Sequence, residues 1–183
     1  MLKDKNFFIF GYPRSRTAWF ANLFTTGDVF CYHEIIPFTD NETLRNQLAD
    51  RQYGKIGVSE PNPMAYDLIA KLYPDSPKVF IFRAVEDVII SMQKAFNVTR
   101  ESQISFTKSC VKSVLNMLGD ETVEPVDFNS LNDDKIICKV WRHCIGSEPD
   151  HNRIKLLKNF NVQIDRQLTI KRATAIKEDR LWV

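Results

Sequence analysis

The stretch Asn6-Phe7-Phe8-Ile9-Phe10-Gly11-Tyr12-Pro13-Arg14-Ser15-Arg16-Thr17 decides how this chain folds. Asn6–Phe10 is a short apolar run that stops at Gly11-Tyr12-Pro13, as a buried strand does. From Thr17 to Phe24 the apolar residues Ala18, Trp19, Ala21, Leu23 and Phe24 recur with the spacing of a helix packed on a sheet. A buried strand, a tight turn and a helix in immediate succession open an α/β unit.

Outward from there the alternation continues. Val29–Cys31 is a second strand candidate, and Thr39-Asp40-Asn41-Glu42 has the Thr-x-x-Glu form of a capping box, predicting a helix to about Arg51. Lys55–Ser59 is a third strand candidate, followed by Asn62-Pro63 as N-cap and N1 proline of a helix to about Leu72. Lys78–Phe82 is a continuous β-rich strand and Val85–Phe96 the helix after it. Ser102–Leu118 places Ile104, Val111, Val114, Leu115 and Leu118 on one helical face. Val123–Phe128 and Asp133–Ile145 add a fifth strand and a further helix, and beyond Pro149 the pattern weakens. The expected fold is a single α/β domain over residues 1–183, with a mainly parallel sheet flanked by helices. Ligands of such sheets sit beyond the carboxyl ends of the strands. Chemistry is therefore expected in the loops after Phe10, Cys31, Ser59 and Phe82.

Composition limits the function classes. The 183 residues suffice for one domain, and 44% apolar with 26% charged residues exclude disorder. The 25 basic and 23 acidic residues leave a formal charge of +2. That lacks the broad basic surface of a non-specific nucleic-acid binder, so any anion site is local. No apolar run reaches the length of a membrane span, and Met1–Asn6 lacks a signal-peptide h-region, so a cytoplasmic protein without a membrane partner is expected. Cys31, Cys110, Cys138 and Cys144 form no CxxC pair and read as reduced thiols. His143 and His151 have no second histidine at metal spacing, and no metal is expected.

The loop Gly11–Thr17 joins a strand to a helix, so its backbone N–H groups and the helix N-terminus converge on one point. Arg14 and Arg16 add positive charge there, and Ser15 and Thr17 add hydroxyl donors. Such a loop binds phosphate, or else is an ordinary turn with two solvated arginines. A Walker A loop is absent, which disfavours a nucleotide triphosphatase or ordinary kinase. After the fourth strand, Arg83 is followed by Asp87 and Ser91 on one face of the next helix. Arg83 and Ser91 can grip a second phosphate; the alternative is an arginine salt-bridged to Glu86 or Asp87.

Together the two segments resemble the sulfotransferase family. Gly11-Tyr12-Pro13-Arg14-Ser15-Arg16-Thr17-Ala18-Trp19 is similar to its 5′-phosphosulfate loop, Gly-x-Pro-(Lys/Arg)-Ser-Gly-Thr-Thr-Trp. Arg83 to Ser91 is similar to its 3′-phosphate segment, Arg-x-x-x-Asp-x-x-x-Ser. The resemblance covers about residues 6–96. It implies a P-loop-like α/β fold, the donor 3′-phosphoadenosine 5′-phosphosulfate (PAPS), and donor contacts from Arg14, Ser15, Arg16, Thr17, Ala18, Trp19, Arg83 and Ser91. Arg16 stands where the family has glycine, so a turn with φ > 0 would be strained there unless the turn differs or Arg16 itself contacts the donor. Ala18 replaces a threonine and loses one hydroxyl contact. Trp19 either stacks on adenine or packs in the core.

Sulfuryl transfer needs in-line placement, positive charge on the leaving phosphate and a base for the acceptor. By the resemblance Arg14 neutralises the leaving phosphate. Cys31-Tyr32-His33-Glu34-Ile35-Ile36-Pro37 is loosely similar to the Cys-Gly-Glu-Glu-Thr-Arg-x-Ile-Pro segment whose glutamate is the base of tyrosylprotein sulfotransferases, with two residues fewer. Glu34 and His33 are therefore base candidates, and Glu60 is a third. Glu60 lies near where cytosolic sulfotransferases carry Lys-x-His, which is absent here. Lys171-Arg172-Ala173 is a poor copy of the family's late Arg-Lys-Gly loop. The expected function is transfer of a sulfuryl group from PAPS to a hydroxyl or amine acceptor. A PAP- or PAPS-binding protein without turnover and an atypical P-loop kinase are the alternatives. The sequence names neither the acceptor nor the oligomeric state.

Overall fold

A computed structural model describes residues 5–36, 40–50 and 52–159. Strand β1 (Asn6–Gly11) is buried along its whole length at the centre of a sheet. It is flanked by β2 (Val29–His33), β3 (Lys55–Glu60), β4 (Lys78–Phe82) and β5 (Val123–Asp127) in the order β2-β3-β1-β4-β5. All neighbouring strands run parallel. A parallel strand covered on both faces has no polar side to show, which is why β1 reads as an unbroken apolar run. Phe7 and Ile9 face a core built from α1 (Thr17–Phe24), α6 (Asp134–Ile145) and α7 (His151–Lys158). Phe8 and Phe10 face a second core with α2 (Asn41–Leu48), α3 (Tyr66–Leu72), α4 (Val85–Phe96) and α5 (Arg100–Leu118). Gly57 in β3 is glycine because the Phe7 ring lies across it: an added Cβ would sit 2.1 Å from Phe7 Cζ.

The register aligns the carboxyl ends of the strands. Phe10 is paired with Glu60 on one side and Phe80 on the other, and His33 with Ser59. The chain leaves β1 toward β2 and β3 and later crosses over β1 to β4 and β5. The strand order therefore reverses beside β1, and the crevice of such a sheet opens at that reversal.

Several expectations change in detail. Strands β2 and β3 extend to His33 and Glu60, so both residues belong to strand ends rather than loops. The cap of α2 is Asp40, whose carboxylate accepts from Thr43 N at 2.7 Å, and the helix stops at Leu48; Thr39 lies outside the described residues. Asn62 does cap, but a single 3₁₀ turn, Pro63–Ala65, precedes α3. Helix α5 buries Gln103, Cys110, Ser113 and Met117, and leaves Val111, Leu115 and Leu118 of the apolar face exposed. Helix α7, not expected, is capped by Asp150 through Arg153 N. All four cysteines are buried free thiols.

Candidate functional site

The loop from Gly11 to Thr17 folds tightly over the end of β1. Ser15 N donates to Tyr12 O at 3.1 Å. Gly11 lies beneath, where an added Cβ would come within 3.2 Å of Ser15 Cβ. Arg14 and Arg16 both take left-handed backbone conformations, with φ of 67° and 63°. Such values cost a non-glycine residue about 1–2 kcal/mol, so the surroundings must impose them. They do so through the arginines themselves. Arg16 donates from Nη1 to Leu131 O at 3.0 Å and from Nη2 to Asn132 Oδ1 at 2.9 Å, with its guanidinium 5.4 Å from the Phe128 ring centre. Its side chain thus straps the loop to the 3₁₀ segment Phe128–Asn132 that follows β5. The carbonyl of Arg14 accepts a hydrogen bond from Arg83 Nη1.

Two donors around the loop are left unpaired. Ser15 Oγ and Arg83 Nε are both buried without a hydrogen-bond partner. Helix α1 has no side-chain cap and no acidic residue in its first turn, so its leading N–H groups keep their capacity for an anion. Arg83 is half-buried against the Phe128 ring at 4.2 Å. Burial lowers its pKa, the charges of Arg14 and Arg16 add to that, and Asp87 opposes it. The expected alternative, a salt bridge to Glu86 or Asp87, is not formed among the described residues. Glu86 instead binds Arg100 through two contacts of 2.6 and 2.8 Å. Arg14 extends toward α4, donating from Nε to Ser91 Oγ at 3.3 Å. Arg14 is therefore joined to both later segments, through its carbonyl to Arg83 and through its guanidinium to Ser91.

The β2–β3 side of the edge is acidic. Thr17 Oγ1 lies 3.3 Å from His33 Nε2, and Ser59 Oγ donates to Thr17 O at 2.8 Å. His33 is thus tied to the first residue of α1. Glu34 N donates to Ser59 O, and Glu34 has a φ of 59°. Its side chain reaches the surface, yet burial around the carboxyl raises its pKa. Glu60 is fully buried, with both carboxylate oxygens outside normal hydrogen-bond geometry. Burial and the Glu34 charge push its pKa up to about 8, against a smaller opposing pull from the backbone N–H groups of Ile36 and Asn62. Glu34 and Glu60 are therefore electrostatically coupled.

The structure resolves the two readings of Trp19. Its ring is packed in the core at 8% exposure, edge-on to Phe20, and its Nε1 donates to Leu157 O at 3.0 Å. A ring so enclosed offers no free face for a nucleobase. Ala18 is half-buried in the first turn of α1. Phe128, Leu131 and Asn132 were missed from sequence. Their one signal was position, immediately after a parallel strand. His143 lies outside the site: its Nε2 is 2.9 Å from Lys78 O, joining α6 to β4. His151 is exposed, with Nδ1 3.9 Å from Cys138 Sγ. Among the described residues no cluster of three His, Cys, Asp or Glu side chains could hold a metal, and no helix is long and apolar enough to cross a membrane. Lys171-Arg172-Ala173 lies outside the described residues.

No protein-family model and no curated protein matches this sequence. Solved structures do match the fold. A mouse sulfotransferase, SULT7A1, complexed with PAP, superposes with a TM-score of 0.60 at 15% identity over 84% of this chain. This chain spans 62% of that protein's length. A sulfotransferase from Alicyclobacillus acidocaldarius superposes with a TM-score of 0.54 at 16% identity, over 95% of this chain and 92% of its own. The fold is thus that of known sulfotransferases.

Proposed function

We propose that this chain binds PAPS across the carboxyl edge of its sheet and transfers the sulfuryl group to a hydroxyl or amine acceptor. The observation that carries the proposal is the pair of buried, unpartnered donors, Ser15 Oγ and Arg83 Nε, set among three arginines beside an uncapped helix. Leaving such donors dry costs about 1–3 kcal/mol each, and an anion removes that cost. The backbone of residues 14–19 with Ser15 and Thr17 would hold the 5′-phosphosulfate, and Arg83 with Ser91 the 3′-phosphate. Arg14 links the two subsites, its backbone in the first and its guanidinium on Ser91 of the second. To supply positive charge for the departing 5′-phosphate, that guanidinium would turn from Ser91 toward the first subsite when the donor binds. Bound there, PAPS would supply the activated sulfuryl group. Arg16, engaged with Leu131 and Asn132, orders the loop rather than touching the donor.

The acceptor's proton would pass to a group on the β2–β3 side, where His33, Glu34 and Glu60 stand. His33 is directly joined to the donor loop through Thr17. A second reading, a PAP-binding protein without turnover, would use the same donor contacts and lack only the acceptor reaction.

Thermal denaturation with PAP, AMP and ATP–Mg²⁺ tests the proposal. A ligand at a hundred times its Kd adds about 2.7 kcal/mol of stability. PAP should raise the melting temperature most, AMP less, and ATP–Mg²⁺ least. Stabilisation by ATP–Mg²⁺ but not by PAP would point to a kinase instead. Release of PAP from PAPS in the presence of an acceptor separates the enzyme from the binding protein.

A further inference from the structure

Helix α5 carries apolar side chains on its outer face as well as on the face packed into the core. Val111, Leu115 and Leu118 recur at one-turn spacing and are 49%, 63% and 55% exposed. Its inward face instead carries Gln103, Cys110, Ser113 and Met117, with Ser113 donating to Asp67 at 2.7 Å. Single surface apolar residues need no explanation, but a continuous stripe along one helix does.

The stripe is bounded by opposite charges. Lys108 stands one turn before Val111, and Glu121 about one turn after Leu118, in the turn that follows the helix. Both are exposed, and neither has an ion-pair partner among the described residues. Along the chain the order is cation, three exposed apolar side chains, anion. A two-fold axis through Leu115 turns that order onto its complement. Leu115 then meets its own copy, Val111 meets Leu118 of the second copy, and Lys108 meets Glu121 of the second copy. A parallel arrangement would instead oppose Lys108 to Lys108 and Glu121 to Glu121. Pairing through the edge strand β5 is discouraged by Pro125 within it, which donates no hydrogen bond, and by the Glu124–Lys139 ion pair on it.

We infer that α5 is a self-complementary surface through which two copies of this chain pair antiparallel, as an isologous dimer. The inference does not rest on the donor reading, because α5 contributes none of the proposed donor contacts. A stripe of three side chains on one helix falls short of the roughly 1,200–2,000 Å² of a standard stable interface. The dimer is therefore weak and depends on concentration.

Sedimentation velocity of the full chain, from low micromolar to hundreds of micromolar, tests this. The wild type should move from the mass of one chain toward that of two. Leu115→Glu should remain at one. Lys108→Glu and Glu121→Lys should each weaken association about tenfold, since each reversal creates two symmetric repulsions. The double variant should restore it. Circular dichroism shows that each variant is folded, and the charge-reversal pair remains decisive if Leu115→Glu is not. A wild type that stays at one chain's mass throughout overturns the inference. So does association unaffected by Leu115→Glu, or a double variant that fails to recover; these outcomes would leave the stripe to some other cover.

Discussion

Arg83 leaves β4 with Nε buried and unpaired and Nη1 on the carbonyl of Arg14. It thus supports the loop after β1 and, under the proposed function, would also be a ligand group. If it reads the 3′-phosphate, Arg83→Ala should weaken PAP by about 2–4 kcal/mol, the scale for removing one side of a desolvated charged pair. AMP, which lacks that phosphate, should lose much less. Calorimetric titration of both nucleotides measures the difference. An equal loss for the two would mean that Arg83 acts only through the loop. At this scale legibility depended on whether a residue's role is steric or relational. Arg16 in a glycine position raised the question of a left-handed turn without answering it, and its φ of 63° shows that the turn is kept. The φ of 67° at Arg14 had no such sign, because it follows from the bond between its carbonyl and a distant arginine. Trp19 was ambiguous because its orientation is set by Leu157 on α7, in the stretch where the sequence pattern fades.

Among the elements, β1, α1, β4 and α4 were legible because each is either a continuous apolar run or a helix next to one. Helix α5 was legible as a helix, but which of its faces is buried was not. Periodicity identifies a helix with two unlike faces, but not which face the domain covers. The inward face is held by Asp67, which accepts from Ser113 and Asn116, polar contacts no hydrophobic pattern records. Strand β3 was legible as a strand, but its last residue was not legible as a buried acid. Glu60 has a pKa raised from 4.5 to about 8. Below about pH 4.5 the folded and unfolded chains both hold this proton, and it contributes nothing. Between there and about pH 8 the unfolded chain has lost the proton and the folded one retains it, so stability falls as pH rises. Above that the deficit is constant, at roughly 3–5 kcal/mol. Burial raises the pKa of Glu34 too, so its contribution has the same sign. Glu60→Gln should match the wild type near pH 5 and exceed it in urea resistance near pH 9. Equal midpoints at both would show that Glu60 is solvated.

At the scale of the whole molecule the sheet edge is polarised. Arg14, Arg16 and Arg83 gather after β1 and β4, and His33, Glu34 and Glu60 gather at the ends of β2 and β3. The reversal of strand order beside β1 puts the boundary between the two groups at the phosphate loop. A donor held by the arginines would present its sulfuryl group toward the acidic side, where a proton acceptor is needed. If the chain turns over, one of the three acidic-side residues should therefore dominate the rate. Loss of a general base costs about 10²–10⁴-fold. The sequence similarity around residues 31–37 points to Glu34, whereas the bond between His33 and Thr17 points to His33. Glu60 is protonated over much of the neutral range and would become competent only as pH approaches about 8. Turnover of His33→Gln, Glu34→Gln and Glu60→Gln with PAPS and an active acceptor, followed across pH, tells them apart. Glu34 or His33 as base predicts one variant that is slow at every pH while PAP affinity is unchanged. Glu60 as base predicts a wild-type rate still climbing as pH nears about 8, and a Glu60→Gln variant without that climb. If all three variants keep the full rate, proton removal lies elsewhere and the polarity of this edge serves only to orient the acceptor.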